Sequence, residues 1–122
     1  MTLIAGILNR HRNPLPSGVV DRIRRSISRC ADDQLSVFED EHSFLAKLDI
    51  GAFAERAELA DMRGNVTLLT GEPLIRESGR EQDAEAIHGA FLQGDASILA
   101  NADGVFSVAH ADSPSSSDRN RV

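Results

Sequence analysis

Tryptophan and tyrosine are both missing from this chain, and cysteine occurs once. Five phenylalanines are its whole aromatic complement, so the core must be mainly aliphatic. A single cysteine excludes an internal disulfide framework and fits a reducing compartment. Basic residues are in deficit: 13 Lys and Arg stand against 19 Asp and Glu, a net charge of −6. That balance argues against a general nucleic-acid binder, which needs a basic surface to neutralise phosphates. No apolar run approaches the roughly 20 residues needed to span a bilayer. The first residues lack a basic segment followed by a signal-type apolar stretch. The expectation is a cytoplasmic protein with no membrane and no nucleic-acid partner. The four histidines (His11, His42, His88, His110) show no metal-ligand spacing, so neither metal nor cofactor is expected.

What is present suits one domain. A chain of 122 residues, 41% hydrophobic, buries about two-thirds of its unfolded surface. The opening stretch MTLIAGILN, residues 1–9, is aliphatic and β-branched and reads as a buried strand. Removal of Met1 would make Thr2 the terminal residue. A free α-amine and a hydroxyl would then sit together inside the fold. This is what an N-terminal nucleophile hydrolase needs, because the amine serves as base for its own side chain. An ordinary N-terminal core strand is the structural alternative.

Residues 10–16, RHRNPLP, form a turn, since Pro14 and Pro16 cannot continue a central strand. Ser17 is placed to cap a helix over residues 17–29, with Asp21 near its positive end. Val19, Val20, Ile23 and Ile27 recur there at helical spacing. Arg22, Arg25 and Arg29 share a polar face, either simply solvated or able to meet phosphate. Cys30 reads as a small packed residue. Residues 35–39 and 43–50 predict two strands joined by an acidic turn, and residues 51–63 a loop. Residues 65–70, NVTLLT, predict another strand, leading into Gly71-Glu72-Pro73-Leu74. Ser78-Gly79-Arg80-Glu81 has the S-x-x-E capping-box pattern. It would open a helix with Ala84, Ile87, His88 and Phe91 on one face, closed by Gly94. Residues 95–101 suit one more helical turn and 102–104 a turn. Residues 105–109 predict a strand with Phe106 and Val108 on one face and Val105, Ser107 and Ala109 on the other. The Ser-rich residues 113–122 have no burial pattern and are expected to be disordered.

Several of these blocks carry a resemblance. Ile4-Ala5-Gly6-Ile7 is similar to the opening of the glutamine amidotransferase domain of asparagine synthetases, which begins Met-Cys-Gly-Ile-Ala-Gly-Ile. Arg29 and Asp32 match the first and last of the family's Arg-Gly-Pro-Asp. Gly71-Glu72 matches Asn-Gly-Glu-Ile, with Thr70 in place of the Asn. Asp83 and Glu85 match the two acids of Ser-Asp-Thr-Glu. Gly104, Phe106 and Asp112 match a Gly-x-Phe strand. The blocks occur in the family's order over residues 1–112, with 113–122 left as a tail. The resemblance implies an α+β fold, an incomplete αββα sandwich of antiparallel sheets of the N-terminal nucleophile hydrolase type. It also implies that the family domain runs further than this sequence. The family's Ser-Gly-Gly-x-Asp-Ser pyrophosphate loop has no counterpart here.

In that family a terminal thiolate attacks the glutamine side-chain amide. The resemblance therefore places Thr2 at the nucleophile and Gly71 at the oxyanion site. Arg29, Glu72 and Asp83 fall at substrate-binding positions, with Arg29 toward the α-carboxylate and Asp83 toward the α-ammonium. Each has a structural alternative: a C-terminal helix charge for Arg29, a strand-to-loop glycine for Gly71, a first-turn acid for Asp83. A threonine hydroxyl is far less acidic than a thiol, and its amine must do all the work of a base. With the oxyanion Asn replaced as well, the expectation is a domain that keeps the fold without glutaminase activity. It would work with a synthetase domain or as a homo-oligomer, with glutamine as a ligand. The alternatives are an active N-terminal-threonine amidohydrolase and a small regulatory module binding through its arginine face.

Overall fold

The structure, a computed structural model, describes residues 3–9, 13–28, 34–49, 58–75 and 79–112. These residues form an α+β protein with two helices and two three-stranded antiparallel sheets. Contacts divide the chain into two units, Met1–Ala54 and Glu55–Val122.

The first unit contains β1 (Leu3–Leu8), α1 (Val19–Ile27), β2 (Gln34–Glu39) and β3 (Ser43–Asp49), with sheet order β1-β3-β2. Strand alternation decides its core. The register pairs Ala5 with Ala46 and Ile7 with Phe44 on one side, and Leu35 with Leu48 and Val37 with Ala46 on the other. All therefore face the same way, toward Val20, Ile23 and Ile27 of α1. Alternation within β3 does not yield a solvent face, because Leu45 and Lys47 on the opposite side are buried too. Helix α1 is shorter than expected, and Ser17 does not cap it. The N-cap position belongs to Gly18 at φ 81, with no side-chain cap. The Gly18 carbonyl accepts from Arg22 N–H at 3.1 Å. A left-handed entry of this kind favours glycine over serine.

The second unit contains β4 (Glu58–Ala60), β5 (Val66–Gly71), α2 (Arg80–Leu92), a 3-10 helix (Ser97–Asn101) and β6 (Phe106–Ala111). Its sheet order is β4-β5-β6. Leu69, Ala84 and Ile87 form its buried centre, packed against Leu59, Phe91, Phe106 and Val108 among others. Strand β4 falls where a loop was expected. Its three residues are too few to show alternation, and the turn after it holds it in place. Asp61 Oδ1 accepts from Arg63 N–H and Asn65 N–H, and Asp61 Oδ2 accepts from the Asn65 side-chain amide. Gly79 takes the N-cap position of α2, with no side-chain cap, and Ser78 of the expected capping box lies outside the described residues. At the other end Gly94 closes the helix as expected. Its N–H donates to Phe91 O, while Asp95 N–H donates to Ala90 O. No helix among the described residues is long and apolar enough to cross a membrane.

Candidate functional site

Strand β5 ends in Gly71 at φ 78. A Cβ there would lie 2.3 Å from Val105 O, so both conformation and space demand glycine. Glu72 N–H donates to Val105 O at 3.0 Å. Gly71 and Phe106 are therefore a non-hydrogen-bonded pair, and the Gly71 N–H is turned away from β6. Gly104 packs just as tightly from the other side: a Cβ on it would meet Glu72 O at 1.8 Å, and its N–H donates to Pro73 O. Beyond Pro73, Leu74 adopts φ 55 while more than half exposed. A left-handed conformation at a non-glycine residue stores about 1–2 kcal/mol and clusters at functional loops.

Helix α2 is tied to this strand end by its first turn. Arg80 Nε donates to Gly71 O at 2.9 Å, and Arg80 Nη2 to Leu69 O at 3.3 Å. Asp83, 1% exposed, accepts the Ile75 N–H at 3.2 Å through Oδ2. The structure thus brings Gly71, Glu72 and Asp83 to one end of the second unit. There Asp83 is occupied by main chain, while Glu72 is exposed. Arg80 escaped the sequence reading, because a cation in a helix's first turn opposes the dipole. The tertiary position of two strand carbonyls gives it partners that the sequence does not announce. Thr2 and Arg29 lie outside the described residues, as do Cys30 and Asp32.

A second group of side chains was not expected at all. Thr67 of β5, 1% exposed, places Oγ1 2.7 Å from His88 Nδ1 and 2.8 Å from His110 Nδ1. His110 Nε2 lies 2.7 Å from Asp112 Oδ1, and His88 Nε2 lies 3.7 Å from Asp61 Oδ2. The rings meet edge to face with centroids 5.9 Å apart, and Phe91 closes on His110 at 5.4 Å. Asp61 is held below the usual carboxylate range, chiefly by the Asn65 side-chain amide and further by backbone N–H groups. The result is a continuous chain, Asp61–His88–Thr67–His110–Asp112. The one available signal was parity. Thr67 falls on the same strand face as Leu69, His110 on the same face as Phe106 and Val108, and His88 follows Ile87 on the helix.

No known protein family, curated protein or solved structure matches this chain. Its chemistry is therefore read from these residues alone. No group of three or more His, Cys, Asp or Glu among the described residues is arranged to hold a metal. In the first unit a surface recess of about 380 Å³ lies between Pro14, Leu15 and Val20 and the acids Asp21, Glu39 and Glu41. Arg24 is paired there with Glu39 at 3.2 Å, and its guanidinium lies over the Phe44 ring. Arg22 and Arg25 of the expected arginine face are exposed.

Proposed function

We propose that this chain is a glutamine amidotransferase-like domain of the asparagine-synthetase type that has lost glutaminase activity. It acts with an ATP-dependent amide-forming synthetase in the cytoplasm, and glutamine is its ligand. The observation that carries the reading is Gly71. An oxyanion donor in this family is a glycine N–H at a strand end. Gly71 closes β5 in a left-handed conformation with its N–H directed off the β6 ladder. The αββα arrangement is part of the same proposal. In its favour, each three-stranded sheet carries a helix of its own unit.

Loss of activity follows from the substituted groups. Thr70, at the place of the oxyanion Asn, is 7% exposed and offers one donor hydrogen on a shorter side chain. Removing one oxyanion donor slows turnover by roughly 10²–10³. Asp83, at the ammonium-binding position, already accepts a main-chain N–H.

The test is ammonia release from L-glutamine by the whole chain, alongside intact mass. The reading expects release no faster than a heat-treated control. Release well above that control, with Met1 removed and activity abolished by Thr2→Ala, would replace it with the active amidohydrolase.

A further inference from the structure

We propose that Thr67, His88 and His110 form a proton-counting clasp: it fastens α2 and β6 to β5 while the two rings share at most one added proton, and it opens when both are charged. A threonine hydroxyl has one hydrogen and two lone pairs. Both rings approach Oγ1 through Nδ1, and Thr67 is shut off from bulk water at 1% exposure. The hydroxyl uses both its hydrogen and a lone pair when one ring presents a bare Nδ1 to accept the O–H and the other donates an N–H; two N–H donors would leave the buried O–H without either ring as its acceptor.

The flanking carboxylates settle which is which. Asp112 accepts from His110 Nε2 at 2.7 Å, so that nitrogen carries the hydrogen. A neutral His110 then has a bare Nδ1 and takes the Thr67 hydrogen. His88 is left to donate from Nδ1. Its Nε2 faces Asp61 Oδ2 at 3.7 Å, where a first added proton is attracted and breaks nothing.

The second proton has one place to go, His110 Nδ1. It turns that acceptor into a donor, so the Thr67 hydrogen loses its ring acceptor. It also puts two cations on rings whose centroids are 5.9 Å apart. Among the described residues, the charged groups facing the pair are Asp61, from the turn after β4, and Asp112, beyond β6. Asp112 is 70% exposed at its side chain, where water screens it. The β4 residue opposite Thr67 is Leu59, α2 adds Ile87 and Phe91, and the 3-10 helix has no ionisable side chain.

Two imidazoles in an unfolded chain each bind a proton near about pH 6.5. A clasp that holds one proton fewer than the open chain loses ground to it on acidification.

Long-range proton–nitrogen spectra of the uniformly labelled full chain test this between pH 8 and 4.5, with backbone hydrogen exchange followed in parallel. At pH 8 the clasp requires His110 protonated on Nε2 and His88 on Nδ1. On acidification the second proton should bind at least tenfold more weakly than the first, and its binding should coincide with lost protection in β6 and α2. Thr67→Ser should preserve the two steps, while Thr67→Val should narrow the gap at least threefold. A hydrogen on His110 Nδ1 at pH 8 overturns the proposal. So does joint protonation of both rings with β6 protection intact, or an unchanged gap in Thr67→Val.

Discussion

Thr67 and His110 stand opposite one another across β5 and β6, at a non-hydrogen-bonded pair, where antiparallel side chains come closest. That register is why Oγ1 and Nδ1 meet at 2.8 Å. Glu72 N–H bonding to Val105 O fixes the phase of the ladder, and every second pair back along it, through Leu69–Val108 to Thr67–His110, is of the same kind.

Replacing the hub hydroxyl isolates two ring nitrogens without changing shape. Thr67→Val should therefore lower unfolding free energy by about 1–3 kcal/mol, the cost of leaving buried polar groups unpaired. Thr67→Ser should lose much less. Urea unfolding with unchanged m-values is the measurement. A Val variant as stable as the parent would mean that the hydroxyl contributes no net bonding.

The strand end at Gly71 should be intolerant of a methyl group. Gly71→Ala forces a left-handed alanine, costing about 1–2 kcal/mol, and drives its Cβ into Val105 O. Gly104→Ala, whose Cβ would lie 1.8 Å from Glu72 O, should cost a further overpacking penalty of about 1–3 kcal/mol relative to wild type. Thermal melts of the two variants decide this. Wild-type midpoints in both would contradict the close approach of the two segments.

Acid should act on Asp61 in a separate, lower window. Its carboxyl is held below the ordinary value by the Asn65 amide and by backbone N–H groups. A depressed folded value means the unfolded chain binds the proton first. The stabilisation is complete above about pH 4–5 and is lost as pH falls through the folded value. Asp61→Asn removes that titration, so its midpoint-against-pH curve should be flatter than wild type between about pH 4.5 and 2. Parallel curves would assign the acid limb to other groups.

Helix α2 holds an opportunity for stabilisation. Gly89 lies in its interior, exposed, with no atom within 4 Å of a built Cβ. Gly89→Ala should raise stability by about 0.5–1 kcal/mol through lost unfolded-state entropy and better helix propensity. A denaturant midpoint at or below wild type would show that the position serves something other than the helix.

Much of the local structure was legible in the chain. Valine and isoleucine spacing located α1, and strand alternation located β3 and the inward residues of β6. The Gly-Glu after an apolar run located the end of β5. The helix starts were misread for one reason in both cases. Serine is the commoner cap, but glycine took both N-cap positions, Gly18 and Gly79, each with positive φ. A backbone that must turn left-handed at a helix entry overrides side-chain capping preference. Strand β4 was illegible because its stability is borrowed from the Asp61 turn and from pairing with β5, and neither leaves a periodic trace in three residues.

Sequence by itself determined where most helices and strands lie, because periods of 3.6 and 2 are local properties of the hydrophobic pattern. It also determined the acidic charge balance and the glycine at the end of β5. Only the tertiary structure decided that Arg80 serves strand carbonyls, that Asp83 holds Ile75 N–H, and that Thr67 gathers two histidines 21 and 43 residues away. Those partners are chosen by strand register and helix packing. Contacts between residues so distant along the chain have no signature in the spacing of either.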